Sequence, residues 1–110
     1  MALSSQNRIT NDKDFGRILK KGKTVHGSFF FIKGCKNDNL QKRRFGIILS
    51  AHVIKSAVGR NKVKRHLNEV FRNHSELAQG YDVVCNIRKD CSGDLKEARR
   101  QLIKLLGELS

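Results

Sequence analysis

Hydrophobic residues recur at helical spacing in the stretch 56–74, beside a dense group of basic residues. At about 100° per residue, four hydrophobic side chains fall within one arc of roughly 100°: Val63, Leu67, Val70 and Phe71. Such an arc is typical of the side of a helix that packs on a core. The stretch therefore predicts an amphipathic helix, here called the central helix.

Two more helices are predicted, one near each end of the chain. The segment 11–22 begins at a capping residue, Thr10 or Asn11, and ends at Gly22. In the last segment Ser92 is a suitable cap, and leucines then recur at helical spacing as far as Leu109.

Three stretches have the composition of β-strands. The first, 23–35, is rich in aromatic and β-branched residues, and Gly27 within it is typical of a bulge or bend. The others are 43–51, whose hydrophobic run indicates burial on both faces, and 81–90. The order is αββαβα, with one more strand if the first stretch is split. We expect one domain, 1–110, in which helices pack on a mixed sheet.

The charge of the chain indicates what kind of partner this fold binds. The chain has 23 Lys and Arg against 10 Asp and Glu, a net charge of +13. Residues 1–65 hold 16 basic and 3 acidic side chains, whereas residues 66–110 hold 7 of each. A small domain with this excess of positive charge is expected to bind a polyanion such as nucleic acid.

The basic residues of the central helix are the strongest candidates for that binding. Exposed charge on a helix is usually only a solvated surface, and such a helix commonly carries acids four residues from its bases. Between Ser56 and Arg72, Glu69 is the only acidic residue. Like charges without acidic neighbours favour phosphate binding, whose log affinity falls by about 0.7 to 0.9 per log unit of salt for each phosphate neutralised.

The aromatic run in the first strand stretch has two interpretations. Alternation along a strand predicts that Phe29 and Phe31 share one face and that Phe30 takes the other. One face must pack in the core, which is the more common role of such residues. The opposite face is a candidate platform on which an unpaired nucleic-acid strand stacks.

No catalytic or metal-binding pattern emerges from the sequence. Cys35, Cys85 and Cys91 lack the paired spacing of zinc ligands, and reduced thiols are expected. His66 and His74 are poor candidates for an acid and base pair, because no carboxylate is spaced to orient them. We therefore predict neither catalytic nor metal-ligating residues in this protein.

The sequence pattern predicts neither a signal peptide nor a membrane-spanning segment. The first ten residues contain no hydrophobic signal-peptide core, and no run reaches the roughly 18 apolar residues of a membrane span. The expectation is a cytoplasmic protein that does not associate with membranes.

A motif in the central helix resembles a known family. Residues 57–65, Ala-Val-Gly-Arg-Asn-Lys-Val-Lys-Arg, are followed by Glu69, Phe71 and Arg72. This sequence is similar to the signature helix of the bacterial ribonuclease P protein subunit, roughly A-V-x-R-N-R-x-K-R-x-x-R-E-x-F-R. The chain departs from it at Lys62 and Asn68, where the family usually has Arg.

The resemblance covers nearly the whole chain. It includes Arg8 and Ile9, then Asp14, Phe15 and Gly22, the stretch 44–47 and the stretch 81–84. It implies the order αβββαβα, with a mixed four-stranded sheet packed by helices and a left-handed βαβ crossover, as in a ribosomal-protein domain. The stretch 23–35 would then be two strands or one bent strand.

The function that the resemblance implies is that of a ribonucleoprotein subunit. The protein would bind the catalytic RNA of ribonuclease P and the 5′ leader of precursor tRNA, and would promote Mg²⁺-dependent removal of the leader. The catalytic centre and most of the bound Mg²⁺ would belong to the RNA, so the protein alone would be inactive and would need no protein partner. The rival hypotheses are a general RNA-binding or ribosomal-type protein and a self-sufficient protein nuclease.

Site residues follow from the same resemblance. Seven residues of the central helix would contact RNA: Arg60, Asn61, Lys62, Lys64, Arg65, Asn68 and Arg72. Lys64 and Asn68 would also help to line a cleft for the single-stranded leader. The remaining cleft residues would be Phe15, Phe29, Phe31 and Lys33.

Overall fold

The computed structural model describes residue 9 and residues 12–37 and 43–109. The expected cap at Thr10 or Asn11 and the family position Arg8 lie outside these residues. The elements in chain order are α1 (Asp12–Lys21), β1 (Lys23–His26), β2 (Phe30–Lys36), β3 (Arg44–Ile48), α2 (Ala57–Asn73), β4 (Tyr81–Ile87) and α3 (Leu95–Leu109). This confirms the αβββαβα order.

The four strands form one mixed sheet in the order β1-β2-β4-β3. β2 pairs antiparallel with both β1 and β4, whereas β3 at the edge pairs parallel with β4. Parallel neighbours need a crossover, and α2 supplies it between β3 and β4. The left hand of that crossover stays a prediction.

The stretch 23–35 contains two strands, the alternative that the family resemblance implied. A tight turn separates them, in which the amide of Gly27 donates to the carbonyl of Phe30 at 2.8 Å. Phe29 lies in this turn and not in β2. The prediction that Phe29 and Phe31 share one face of a single strand is therefore wrong for Phe29.

Helix ends are set by local polar contacts. Ser56 caps α2, since its side chain accepts a hydrogen bond from the amide of Gly59 at 3.1 Å. Ser92 does not cap α3, which begins three residues later, so that prediction is wrong. The amide and hydroxyl of Ser92 donate instead to Asp90 Oδ1 at 2.9 and 2.6 Å, and this closes a turn before the helix.

Both faces of the sheet are covered, but unequally. The larger core lies between the sheet and helices α2 and α3, and it buries Val63, Leu67, Val70 and Phe71, as predicted. A smaller core beneath α1 contains Ile9, Ile18 and Val84. Strand residues that point towards α1, among them Lys33, Gly46 and Val84, form what we call the α1-side face. No helix among the described residues is long and apolar enough to cross a membrane.

Candidate nucleic-acid interface

The start of α2 presents positive charge without a neighbouring acid. Its first turn contains no acidic residue. The amino-terminal end of a helix carries a partial positive charge, which adds to that of nearby basic side chains. This end of α2 therefore favours an anionic partner.

The seven predicted RNA-binding residues all lie on α2, in two groups that differ in exposure. Residues spaced four apart form a half-buried row along the helix: Arg60, Lys64, Asn68 and Arg72. The other three are exposed: Asn61, Lys62 and Arg65. The structure thus brings all seven together on one helix.

Arg60 has a structural contact that the sequence did not indicate. Its Nη1 donates to the carbonyls of Ile54 at 2.8 Å and Lys55 at 3.0 Å. These carbonyls belong to the loop that leads into α2, so Arg60 fixes that loop. Only the remaining N–H donors of this guanidinium can contact an RNA phosphate.

Arg72 at the other end of the row is incompletely paired. Its Nε is buried and has no hydrogen-bond partner among the described residues. A buried donor without a partner is costly to the fold.

The one acid of α2 is engaged by the neighbouring helix. Arg99 of α3 contacts Glu69 Oε1 at 3.2 Å and His66 Nδ1 at 3.1 Å. The hydrogen bond and the charge of Arg99 lower the pKa of Glu69. Burial and the nearby charges of Arg99 and Arg65 lower the pKa of His66. Glu69 is therefore committed to α3 and does not neutralise the basic row.

A pocket of about 210 Å³ lies beside β3, the edge strand of the sheet. Phe15 from α1 contributes to one side, and Lys64 and Asn68 from α2 contribute to the other. Its full lining is Ile9, Phe15, Phe45, Gly46, Ile47, Lys64 and Asn68. Three residues of the predicted leader cleft, which come from two separate helices, thus meet at one pocket.

The other predicted cleft residues are distributed differently. Phe31 and Lys33 lie on the α1-side face, where Lys33 Nζ donates to the carbonyl of Leu19 at 2.7 Å and so holds the end of α1. Phe29 packs against the larger core on the far side of the sheet, which is a correction to the predicted grouping. Its amide is 3.4 Å from Gln101 Oε1, and its carbonyl accepts from the amides of Arg88 and Lys89.

Two residues beside Phe31 were missed by sequence reasoning. His26 and Asn86 are its direct partners on β1 and β4, so the three share the α1-side face. The rings of His26 and Phe31 are 5.6 Å apart, centroid to centroid, and tilted by 45°. The signal available in the sequence was the polar Asn86 within the hydrophobic run of β4.

Asp82 ties three parts of the chain together beneath α1. It is fully buried, and it accepts hydrogen bonds from Arg17 of α1, Arg44 of β3 and Asn37 after β2. Burial alone would raise the pKa of Asp82, but the bonds from Arg44, Asn37 and Arg17 outweigh it, and the pKa is lowered. The carboxylate is therefore ionised and holds α1 on the sheet.

The three cysteines differ in burial: Cys85 and Cys91 are buried, whereas Cys35 is partly exposed. Cys35, Cys85 and Cys91 are free thiols. Burial raises the pKa of Cys85 well above its usual value and that of Cys91 to about 11, so both are protonated near neutral pH. No group of three or more His, Cys, Asp or Glu side chains that could hold a metal ion occurs among the described residues.

Comparison with known proteins identifies the family of this chain. A family model described as Ribonuclease P matches residues 3–110. The ribonuclease P protein component of Pelotomaculum thermopropionicum is 36% identical over 104 residues, covering 89% of this chain and 88% of the relative. That of Clostridium botulinum is 34% identical over 104 residues, covering 92% of each.

Solved structures give the same result. The RNase P protein from Thermotoga maritima has a TM-score of 0.80 and 30% identity, with 94% of this chain and 98% of that chain covered. A mutant of the Staphylococcus aureus RNase P protein, with defective mRNA degradation activity, has a TM-score of 0.80 and 31% identity over 90% of this chain and 84% of that one.

Proposed function

Because this chain belongs to the Ribonuclease P family, we propose that it binds the catalytic RNA and the 5′ leader of precursor tRNA, and promotes Mg²⁺-dependent cleavage. Family membership itself makes the chain the protein component of a ribonuclease that acts in tRNA processing, with the ribonuclease P RNA as its partner. The proposal adds which surfaces do the binding and where the chemistry takes place.

The observation that carries the proposal is the basic surface of α2. Glu69, the only acid of this helix, is held by Arg99 of α3. The cations from Arg60 to Arg72, which are exposed or half-buried, therefore have no acid from their own helix to neutralise them. Placed against the catalytic RNA, they offset the repulsion between its phosphates and those of the precursor tRNA.

The leader would pass the pocket at β3 and the α1-side face. Phe15 offers a ring for stacking, and Lys64 and Asn68 offer donors to phosphate, sugar or base. Phe31 provides a second half-buried ring on the sheet. An aromatic surface next to cations suits an unpaired strand better than a duplex, whose bases are stacked on each other.

The Mg²⁺ required for cleavage would be bound mainly by the RNA. The described residues of the protein contain no group of three or more His, Cys, Asp or Glu side chains that could hold it, and Mg²⁺ in phosphoryl chemistry keeps several waters and binds substrate phosphates with as few as one or two carboxylates. The protein would lower the Mg²⁺ concentration that the RNA needs, because its own cations replace part of the counterion requirement. We place this activity in the cytoplasm.

Cleavage of precursor tRNA by the catalytic RNA at low Mg²⁺ tests the proposal. The protein should stimulate cleavage over RNA alone, and removing the leader should weaken binding of the holoenzyme to tRNA. Binding to RNA without stimulation would point to a general RNA-binding protein. Cleavage by purified, RNA-free protein would place the catalytic centre in the protein and contradict the proposal.

A further inference from the structure

The row of side chains across the α1-side face consists of His26, Phe31 and Asn86. Phe31 lies in register with His26 on β1 and with Asn86 on β4, and Ile48 of β3 is the partner of Asn86. Partners in register point to the same face of a sheet, with their Cβ atoms about 5 Å apart. The row thus spans β1, β2 and β4 at one level, and Ile48 of β3 continues that level to the edge of the sheet.

Solvent reaches this row although two of its members lie on central strands. His26 is exposed, and Phe31 and Asn86 are half-buried. Their sequence neighbours on the opposite face, Phe30 and Ile87, are each only 2% exposed. The hydrogen bonds from α1 reach Cys35 and Asp82, which lie farther along the same strands.

Asn86 has no structural explanation at this position. Asparagine is disfavoured within strands, and the other residues of β4 around it are hydrophobic. Its side chain makes no hydrogen bond to any residue in the described part of the chain. Its amide therefore presents a carbonyl acceptor and an NH₂ donor side by side on the open face.

We propose that this row is a nucleobase-reading site, in which an unpaired base of the leader stacks on Phe31 and pairs its edge with the amide of Asn86. The inference rests on the proposed function, because the leader is the strand that would supply the base. The ring gives affinity for any base, since every base has a flat aromatic face. The amide adds discrimination, because a base edge that leaves it unpaired is disfavoured.

Holoenzyme reconstituted from the full chain and the catalytic RNA tests this site. Precursor tRNAs that differ in one leader base at a time are compared in binding affinity and in kcat/KM. The wild-type enzyme should prefer some bases at one leader position by about fivefold or more, the size of a specific side-chain contact to a base.

Three variants separate the contributions of the row. Asn86→Val, which suits a strand, should abolish the preference at that position without lowering stability. Asn86→Asp should shift the preference towards guanine, whose N1–H and N2–H₂ can both donate to a carboxylate. Phe31→Leu should weaken binding of all leaders by about fivefold or more while the order of preference stays the same.

Controls separate this inference from the proposed function. None of the variants should change affinity for mature tRNA or for the catalytic RNA, and Asn73→Ala on exposed α2 surface should behave as wild type. The proposal of a nucleobase-reading site is wrong, and the proposed function stands, if the leader strengthens binding but no leader position shows a base preference. The same holds if Asn86→Val retains the base preference of the wild type. If leader removal does not change wild-type affinity, the proposed leader binding itself is wrong.

Discussion

Phe15 occupies the space in which a side chain at position 46 would begin. A Cβ built on Gly46 would lie 2.6 Å from Cζ and 2.8 Å from Cε1 of Phe15, closer than carbon atoms can approach. Phe15 belongs to α1 and Gly46 to β3, so this contact joins the helix to the edge of the sheet. It also forms one wall of the pocket that contains Lys64 and Asn68.

Gly46→Ala should therefore displace Phe15 from the pocket. We expect affinity for precursor tRNA, relative to mature tRNA, to fall by about fivefold or more, as for the loss of one stacked base. Affinity for the catalytic RNA should not change, because α2 is untouched. Titration of the holoenzyme with the two tRNAs measures this ratio.

Gly16→Ala is the matched control on α1. A Cβ at Gly16 meets no atom within 4 Å. Alanine should stabilise this helix by about 0.5 to 1 kcal/mol and leave the ratio of affinities unchanged. Equal loss of leader binding in both variants would show that the contact between Phe15 and Gly46 is not responsible.

Asp82→Asn should destabilise the fold through Arg17 and Arg44. Both guanidinium groups lose the carboxylate of Asp82, to which Arg44 alone makes bonds of 3.0 and 2.7 Å. We expect the free energy of unfolding to fall by about 2 to 4 kcal/mol, somewhat less than for a fully buried pair because both arginines are partly exposed. Urea unfolding at neutral pH measures the difference, and a loss below about 1 kcal/mol contradicts the assigned role.

The same variant gives a pH dependence with a defined sign. The pKa of Asp82 is lowered in the folded protein, so its contribution is fully present above the ordinary carboxyl pKa of about 3.9 and is lost as the pH falls below that value. The difference in unfolding free energy between wild type and Asp82→Asn should thus be constant above about pH 5 and shrink below about pH 4. A difference that grows on acidification would contradict it.

Periodicity predicted the elements well because each has a strong local signal. The four buried side chains of α2 follow from helical spacing alone. The cap of α3 could not be predicted in this way, because Ser92 forms a turn with Asp90 instead of capping the helix. Both are local hydrogen-bonding patterns available to a serine, and they compete. Strand boundaries in 23–35 depended on the turn at Gly27, whose effect on pairing appears only in the sheet.

The part of the candidate site that lies on one helix was predictable from the sequence. The part formed by residues from several elements was less predictable. The α2 residues share an element, so spacing places them together. Phe15 meets Lys64 only through the tertiary fold, and the family resemblance, not periodicity, supplied that pairing. Asn86 joins Phe31 through strand register, which no local pattern encodes.

Arg65→Ala should weaken holoenzyme function more than Arg99→Ala. Arg65 is exposed on α2 and makes no hydrogen bond or ion pair to a described residue, so its removal should reduce the salt dependence of RNA binding by about 0.7 to 0.9 in log–log slope. Arg99 bridges α2 and α3 through Glu69, so its loss should act mainly by lowering the unfolding midpoint. Equal effects on RNA affinity would contradict the assignment of α2 as the RNA-binding surface.

Arg43 secures the carboxyl-terminal end of α2. Its guanidinium donates to the carbonyls of Phe71, His74 and Leu77 at 2.9, 2.8 and 2.8 Å, and lies 3.9 Å from the centre of the Phe71 ring. A lysine keeps the charge but cannot reach three carbonyls with one planar group. Arg43→Lys should therefore lower the free energy of unfolding by about 1.5 to 3 kcal/mol, as measured by urea unfolding.

Arg100→Lys is the control for Arg43→Lys, because it makes the same chemical change at an exposed site. Arg100 pairs with Glu97 one turn away on α3, and such a pair contributes little in water. We expect its unfolding midpoint to equal that of wild type. If Arg43→Lys also unfolds at the wild-type midpoint, its carbonyl contacts add nothing, and core packing would hold this end of α2, including the stacking of Phe71 on Phe45 at 4.7 Å between ring centres.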